Sequence, residues 1–219
     1  MSTLPPVPEP SLPTPAVTSS STLTFGGYSG APGALQGETF LRRAIAKIID
    51  MVPHFGASYA GGFLFSTIVL AASAGHLPRQ WIINLRQPAI SPFVFALLGS
   101  LLMEAIQEGV HGSTLGKVCL GMVVVQEDGT PCRFGPALIR SAAYFIDSFF
   151  FGLIAYFQME KTPQEQRYGD QWAHTVVCNR RDAPAESLRG PGRFVVGFVL
   201  ACMADAAMAM TGLLFKMLV

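Results

Sequence analysis

Charge is what this chain has least of. Asp, Glu, Lys and Arg make up 13% of its 219 residues, where a soluble domain carries roughly 25%. The formal net charge is +1 and half of the residues are hydrophobic. The mean hydropathy is +0.41. So apolar and so nearly neutral a surface would aggregate in water, which excludes an ordinary soluble domain. The stretch 51–78 contains no Asp, Glu, Lys or Arg at all. Cysteine is also scarce. The four, at 119, 132, 178 and 202, form no CxxC. A two-residue turn at Asp128-Gly129 would place Cys132 opposite Val125 and leave Cys119 without a cross-strand cysteine. Reduced thiols are the expectation, with no metal site and no disulfide. No nucleophile–base pair and no cofactor motif is present, so the sequence predicts neither an enzyme nor a bound cofactor.

The run 111-HGSTLGKVCLGMVVV-125 has the glycines and the Gly-Lys pair of a phosphate loop but not its spacing. Such a loop needs glycine five positions before Gly-Lys and Ser or Thr just after it. His111 and Val118 stand there instead. Nucleotide binding is excluded on this mismatch, and no nucleic-acid partner is expected.

Residues 1–38 lack Lys and Arg and are mostly Pro, Ser, Thr and Gly. They cannot bury enough apolar area to offset their ordering entropy. The segment reads as a disordered tail without the basic start or apolar core of a signal peptide. Four apolar segments follow. The first, 55–75, is long enough to cross a bilayer, which takes about 20 residues. Its Gly56, Gly61 and Gly62 suit close helix packing. The second, 89–110, ends with Glu104 and Glu108. The third, 136–159, carries Arg140 and Asp147. The fourth, 194–219, carries Asp205 in its middle and follows a basic linker, 181–193. Between the second and third, 118–134 reads as a β-hairpin, and Thr175-Val176-Val177 as one more short strand. The fold class is therefore an all-α integral membrane protein. Three to four transmembrane or re-entrant helices accompany a small cytoplasmic β-hairpin element.

The pieces 43-RAIAKIID-50, 104-EAIQEGVHGSTLGKVCLGMVVVQEDG-129, Arg140 and 167-RYGDQWAHTVV-177 together resemble the RDD family of small bacterial membrane proteins. The likeness covers residues 38–180. Gly169 stands where many members have His before Asp170. The resemblance implies a membrane domain over 39–180 in the bacterial cytoplasmic membrane, linked at most to cation exchange. It also implies that Thr114, Gly116, Lys117 and Gly121 form a structural turn, with Lys117 reaching lipid headgroups.

The ionisable residues inside the apolar segments are the candidate site. Arg43 and Asp50 lie two helical turns apart on one face, as do Arg140 and Asp147. The stretches RAIAKIID and RSAAYFID share the pattern R-x-x-A-x-x-I-D, which suits either an internal repeat or similar helix-end chemistry. Glu104 and Glu108 share a face and need a cation between them, for which Arg43 or Arg140 is the expected partner. The network of Arg43, Asp50, Glu104, Glu108, Arg140 and Asp147 reads either as a structural clamp or as an ion or proton relay. Asp205, alone in its segment, is expected to be protonated, to face Arg140 or another helix, or to meet a partner protein. His54 and His111 suit packing or hydrogen bonding rather than metal binding.

Plain four-span threading would put the richest basic loop, 161–193, opposite the N-terminus, against the positive-inside tendency. A bend of 136–160 near Ser148 and Gly152, making it re-entrant, returns that loop to the cytoplasmic side with the N-terminus, where Thr175-Val176-Val177 can join the hairpin as a third strand. The expected partners are the lipid bilayer and either a homo-oligomeric copy or another membrane protein. Two functions are expected from this reading. One is small-cation/proton exchange through the buried network. The other is a non-transporting scaffold that docks a partner protein.

Overall fold

The structure, a computed structural model, describes residues 35–147 and 149–219. Most of the tail segment, 1–34, and the expected bend residue Ser148 lie outside the described residues. Residues 35–38 pack against the rest. Leu35 covers the apolar cluster of Val123, Val125, Val176 and Cys178, and the Glu38 N–H donates to the Val177 carbonyl at 2.8 Å.

Helix α1 runs Phe40–Ala72 and contains Pro53. A short helix α2, Arg79–Arg86, lies across to α3, Ser91–His111. Pro92 opens α3, where its missing N–H is harmless. Gly112 closes it in the left-handed conformation at φ 91°. Then come α4, Leu115–Cys119, and strand β1, Met122–Gln126. Helices α5, Phe134–Asp147, and α6, Phe149–Glu160, follow. The chain ends with α7, Tyr168–Trp172, strand β2, Thr175–Asn179, and α8, Pro191–Leu218.

Among the described residues three helices are long and apolar enough to cross a membrane: α1, α3 and α8, the last counted from Ala185. The 21 residues of α3 span about 30 Å, the thickness of a bilayer's hydrocarbon core. The outward faces of the three helices are apolar, with Tyr59 and Phe63 of α1, Phe93 of α3 and Met203 of α8 all exposed. Such a surface is compatible with a lipid environment. α8 lies against α3 and α1, and its contacts fall on small residues. A Cβ on Gly61 would collide with the Ala206 backbone, and one on Gly212 would lie 2.8 Å from the Phe95 Cβ.

α5 and α6 do not form one straight span. Phe134–Asp147 and Gly152–Glu160 meet at 110°, with Gly152 at φ +86°. The V leaves from one strand of the sheet and returns to the other. β1 and β2 pair antiparallel, Val124 opposite Val177, so both ends of the V lie at the sheet.

This pairing corrects the expected hairpin. Val118 and Cys119 belong to α4, and the return limb after β1 makes an isolated bridge, Val125 to Pro131. Pro131 has no N–H to donate, and the Asp128 carboxylate takes the Thr130 N–H at 2.8 Å. The turn also holds three residues rather than two, with Gly129 left-handed at φ +81°. Pro131 therefore replaces Cys132 opposite Val125. The strand that completes the sheet is β2. Its two faces are buried in alternation. Val123, Val125, Val176 and Cys178 form one cluster; Met122, Val124 and Val177 join Ala46, Ala105 and Ala137 in the other.

The closest helix approach in this region is α4 on α1, where a Cβ on Gly116 would overlap the Ala46 carbonyl. Gly116→Ala is expected to destabilise the fold by about 1–3 kcal/mol. Gly56→Ala, where a Cβ meets open space, is expected to be neutral or stabilising by up to about 1 kcal/mol. Thermal unfolding of the purified full chain in detergent checks both.

Candidate functional site: a buried charge network

Asp170 has no exposed surface, and three guanidinium groups converge on it. Arg43 Nη1 donates to Oδ2 at 2.5 Å. Arg140 Nη2 lies 3.3 Å and Arg167 Nη2 3.6 Å from Oδ1. The Arg167 backbone N–H donates to Oδ2 at 3.1 Å, so Asp170 also caps its own helix α7. Arg43 is further fixed by the carbonyls of Glu38 and Glu165, each at 2.9 Å. Burial pushes the Asp170 carboxyl up, but Arg140, Arg167 and Arg43 outweigh it and hold it well below the usual carboxylate range. Burial pulls the Arg167 guanidinium down; Asp170 and Asp147 outweigh it and keep it charged.

A second group adjoins the first through Arg140, whose Nε lies 3.4 Å from Glu108 Oε2. The Lys117 ammonium contacts the other Glu108 oxygen and lies 3.4 Å from Glu104 Oε1. Lys47 donates to Glu104 Oε2 at 2.6 Å and sits 4.4 Å from the centre of the Tyr144 ring. The cation that separates Glu104 from Glu108 is thus Lys117. This corrects its expected position at the headgroups: Lys117 is 5% exposed. Glu108 keeps Arg140 as a partner, as expected, whereas Glu104 uses lysines.

Asp50 stands apart from these ion pairs. Its carboxylate accepts Thr114 Oγ1 at 2.6 Å and the Gly116 N–H at 2.7 Å. It therefore holds the start of α4, whose N-cap is Thr114. Two turns of helix put Asp50 about 10 Å along α1 from Arg43. They share a face, but Arg43 reaches the sheet end while Asp50 reaches the α4 turn. Gln107 assists by accepting the Leu115 N–H at 3.1 Å, and Gly121, left-handed at φ +68°, leads out of the turn into β1. Asp147 lies 3.9 Å from Arg167 and faces the backbone N–H groups of Tyr168 and Gly169 at the start of α7.

The repeated pattern thus has a repeated environment. The stretches 114-TLGKVCLGMVVV-125 and 167-RYGDQWAHTVVC-178 have the same layout. Each is a five-residue helix, a turn ending left-handed at Gly121 or His174, then a strand. In each, the helix glycine packs on the alanine of an R-x-x-A-x-x-I-D helix: Gly116 on Ala46, and Gly169 on Ala143 with 2.9 Å to a Cβ. The aspartate of the same helix faces that glycine's end of the short helix. Val124 and Val177 are equivalent in the two units, and they pair with each other. The antiparallel register therefore relates the two strands by a local pseudo-two-fold through that pair. Where the units differ, charge is inverted: Lys117 answers to Asp170.

Between α1, α5 and α6 lies a cavity of ≈ 510 Å³, with Phe40, Ile48 and Met159 on its apolar side and Arg43, Lys47 and Asp147 on its charged side. A second, of ≈ 320 Å³, extends to His54 and Phe93. Both are lined by Lys47, Asp50, Met51, Glu104 and Tyr144. Asp205 faces α1 rather than Arg140, with His54 Nδ1 at 2.9 Å from its Oδ2. His111 stacks edge-on against Phe194. Among the described residues no group of three His, Cys, Asp or Glu is placed to hold a metal ion.

Neither Lys47 nor Arg167 was expected in the network, although Arg167 opens a stretch that carries the family resemblance. Both had a local signal: Lys47 follows Arg43 by one helical turn, and Arg167 precedes Asp170 by three residues.

The sequence profile of the RDD family matches residues 38–174. No curated protein and no solved structure matches the chain.

Removing the Asp170 charge leaves three buried guanidiniums short of a partner. Asp170→Asn is expected to lower stability by about 3–5 kcal/mol. Because the folded-state pKa of Asp170 is depressed, its contribution is full above the unfolded value of about 4. It is lost as pH falls from there towards the folded value. The difference between wild type and Asp170→Asn, followed by thermal unfolding, should therefore shrink on acidification below about pH 4.

Proposed function

The chain belongs to the RDD family, and we propose that its helical domain sits in a bilayer and exchanges a small cation for protons. The observation that carries this reading is the wall of Lys47, Asp50, Glu104 and Tyr144 common to both cavities. Ionisable groups lining a cavity inside an apolar helix bundle are what a proton or ion path requires. Glu104 is the central carboxylate. It touches both lysines and lines both cavities, so exchanging its partner for a proton or a cation alters both at once. Arg43, Arg140 and Arg167 act as fixed counter-charges.

In this reading α1, α3 and α8 cross the membrane of a bacterial cell and the α5–α6 V is re-entrant. The sheet then lies on the cytoplasmic side with the N-terminus. That placement collects twelve Lys and Arg residues there, against Arg79, Arg86 and Lys216 outside. So few helices favour an oligomeric carrier over a single chain, and no step calls for an enzyme's chemistry.

One observation favours the second reading, a docking scaffold. The Asp170 group pairs buried charges of opposite sign, with Arg43 at 2.5 Å and Arg140 and Arg167 at 3.3 and 3.6 Å, as a static clamp would.

Flux separates the two. Purified protein in liposomes with an internal pH dye is exposed to external Na⁺, K⁺ or Li⁺. Cation-dependent proton movement, abolished by Glu104→Gln and by Asp147→Asn, is the expected result. No movement above empty liposomes, from folded and inserted protein, would replace the carrier with the scaffold.

A further inference from the structure

α8 lies beyond the family-matched residues and carries a single Asp, Glu, Lys or Arg between Phe194 and Phe215, namely Asp205. It is wholly buried. Three helices build its surroundings. α1 supplies His54, with Nδ1 2.9 Å from Oδ2, and Ser58, whose hydroxyl donates to Oδ2 at 3.3 Å. α3 supplies Gly99, on which any Cβ would collide with Oδ1. α8 supplies Asp205 and, one turn earlier, Cys202, whose thiol feels the carboxylate. Oδ1 has no hydrogen-bond partner among the described residues.

This arrangement differs in kind from the Asp170 group. Among the described residues no lysine or arginine pairs with Asp205, and its partner is the one side chain type that gains and loses a proton near neutrality. His54 also lines the ≈ 320 Å³ cavity with Lys47, Asp50 and Glu104. A route therefore runs from the charged wall through His54 to Asp205.

We propose that His54 and Asp205 form a proton-binding site, holding one exchangeable proton between them. In the deprotonated state the neutral imidazole donates Nδ1–H to Asp205 Oδ2 and Ser58 donates its O–H. Nε2 is then the free acceptor. Uptake of one proton forms an N–H bond at Nε2 and brings the pair to net neutrality. Release breaks that bond and returns the proton to the cavity. The role of this proton in transport rests on the carrier reading above; the proton-binding chemistry does not.

The test uses the full chain in lipid vesicles. A pH-difference infrared spectrum between about pH 5 and pH 9, bracketing the histidine range, is compared with that of Asp205→Asn. The expected result is loss of imidazole and carboxylate difference bands in Asp205→Asn and a shifted carboxylate band in His54→Gln. If either variant fails to fold, Ser58→Ala serves. It removes one donor and should displace the same bands. Superimposable spectra for wild type and the folded variants would overturn the site. In the flux assay, Asp205→Asn should slow proton movement about tenfold or more, the scale of a lost hydrogen bond to a charged group. Bands that behave as described with no flux in wild type would sink the carrier reading and leave the proton site standing. Wild-type flux that survives unchanged in Asp205→Asn would remove the site from the transport path.

Discussion

At Asp170, buried to zero exposure, three arginines from three parts of the chain neutralise the carboxylate. Arg43 comes from the start of α1, Arg140 from α5 and Arg167 from just before α7. Much else follows from this one centre. It ties α1 to the V of α5 and α6. It holds α7 at the angle that feeds β2 into β1. Through Arg140 it reaches Glu108, and through Glu108 and Lys117 it reaches Glu104 and Lys47. Removing any member leaves an uncompensated charge in a poor dielectric, which is why such a set behaves as a unit.

The shared layout of the α4–β1 and α7–β2 units gives the same region its geometry. Each unit needs a glycine against a helix alanine, since a side chain there would meet backbone or the alanine Cβ. In each, an aspartate two turns beyond an arginine faces the start of the short helix. The symmetry is broken in charge at Lys117 and Asp170, and this break separates the network into its two halves. Lys117 gathers carboxylates and Asp170 gathers guanidiniums. The cavities lie beside both halves, where the pairing of Glu104 is open to change.

Several of these features were legible in the sequence. The apolar lengths, the R-x-x-A-x-x-I-D repeat and the acidic end of α3 depend on local spacing, which a helix translates directly into faces. The bend expected near Ser148 and Gly152 agrees in position with the 110° turn before Gly152. The failures were long-range. Thr175-Val176-Val177 does join the sheet as the re-entrant reading allowed, but nothing local says that the return limb after β1 shrinks to a single bridge while β2 supplies the full ladder. The same limit hid the role of Lys117. A lysine beside a glycine turn reads as a surface residue, until the chain reverses at Gly112 and sets it against Glu104 and Glu108 of α3. Asp50 was grouped with Arg43 by face, but the separation along the helix axis decided its partner.

The most direct measurement is a double-mutant cycle between Arg43 and Asp170, read as thermal unfolding of Arg43→Gln, Asp170→Asn and the double variant. If Asp170 is the centre on which the fold depends, the double variant is less destabilised than the sum of the singles, by about 1–3 kcal/mol. Additive losses would show that the two side chains act independently, and the convergence on Asp170 would no longer account for the architecture.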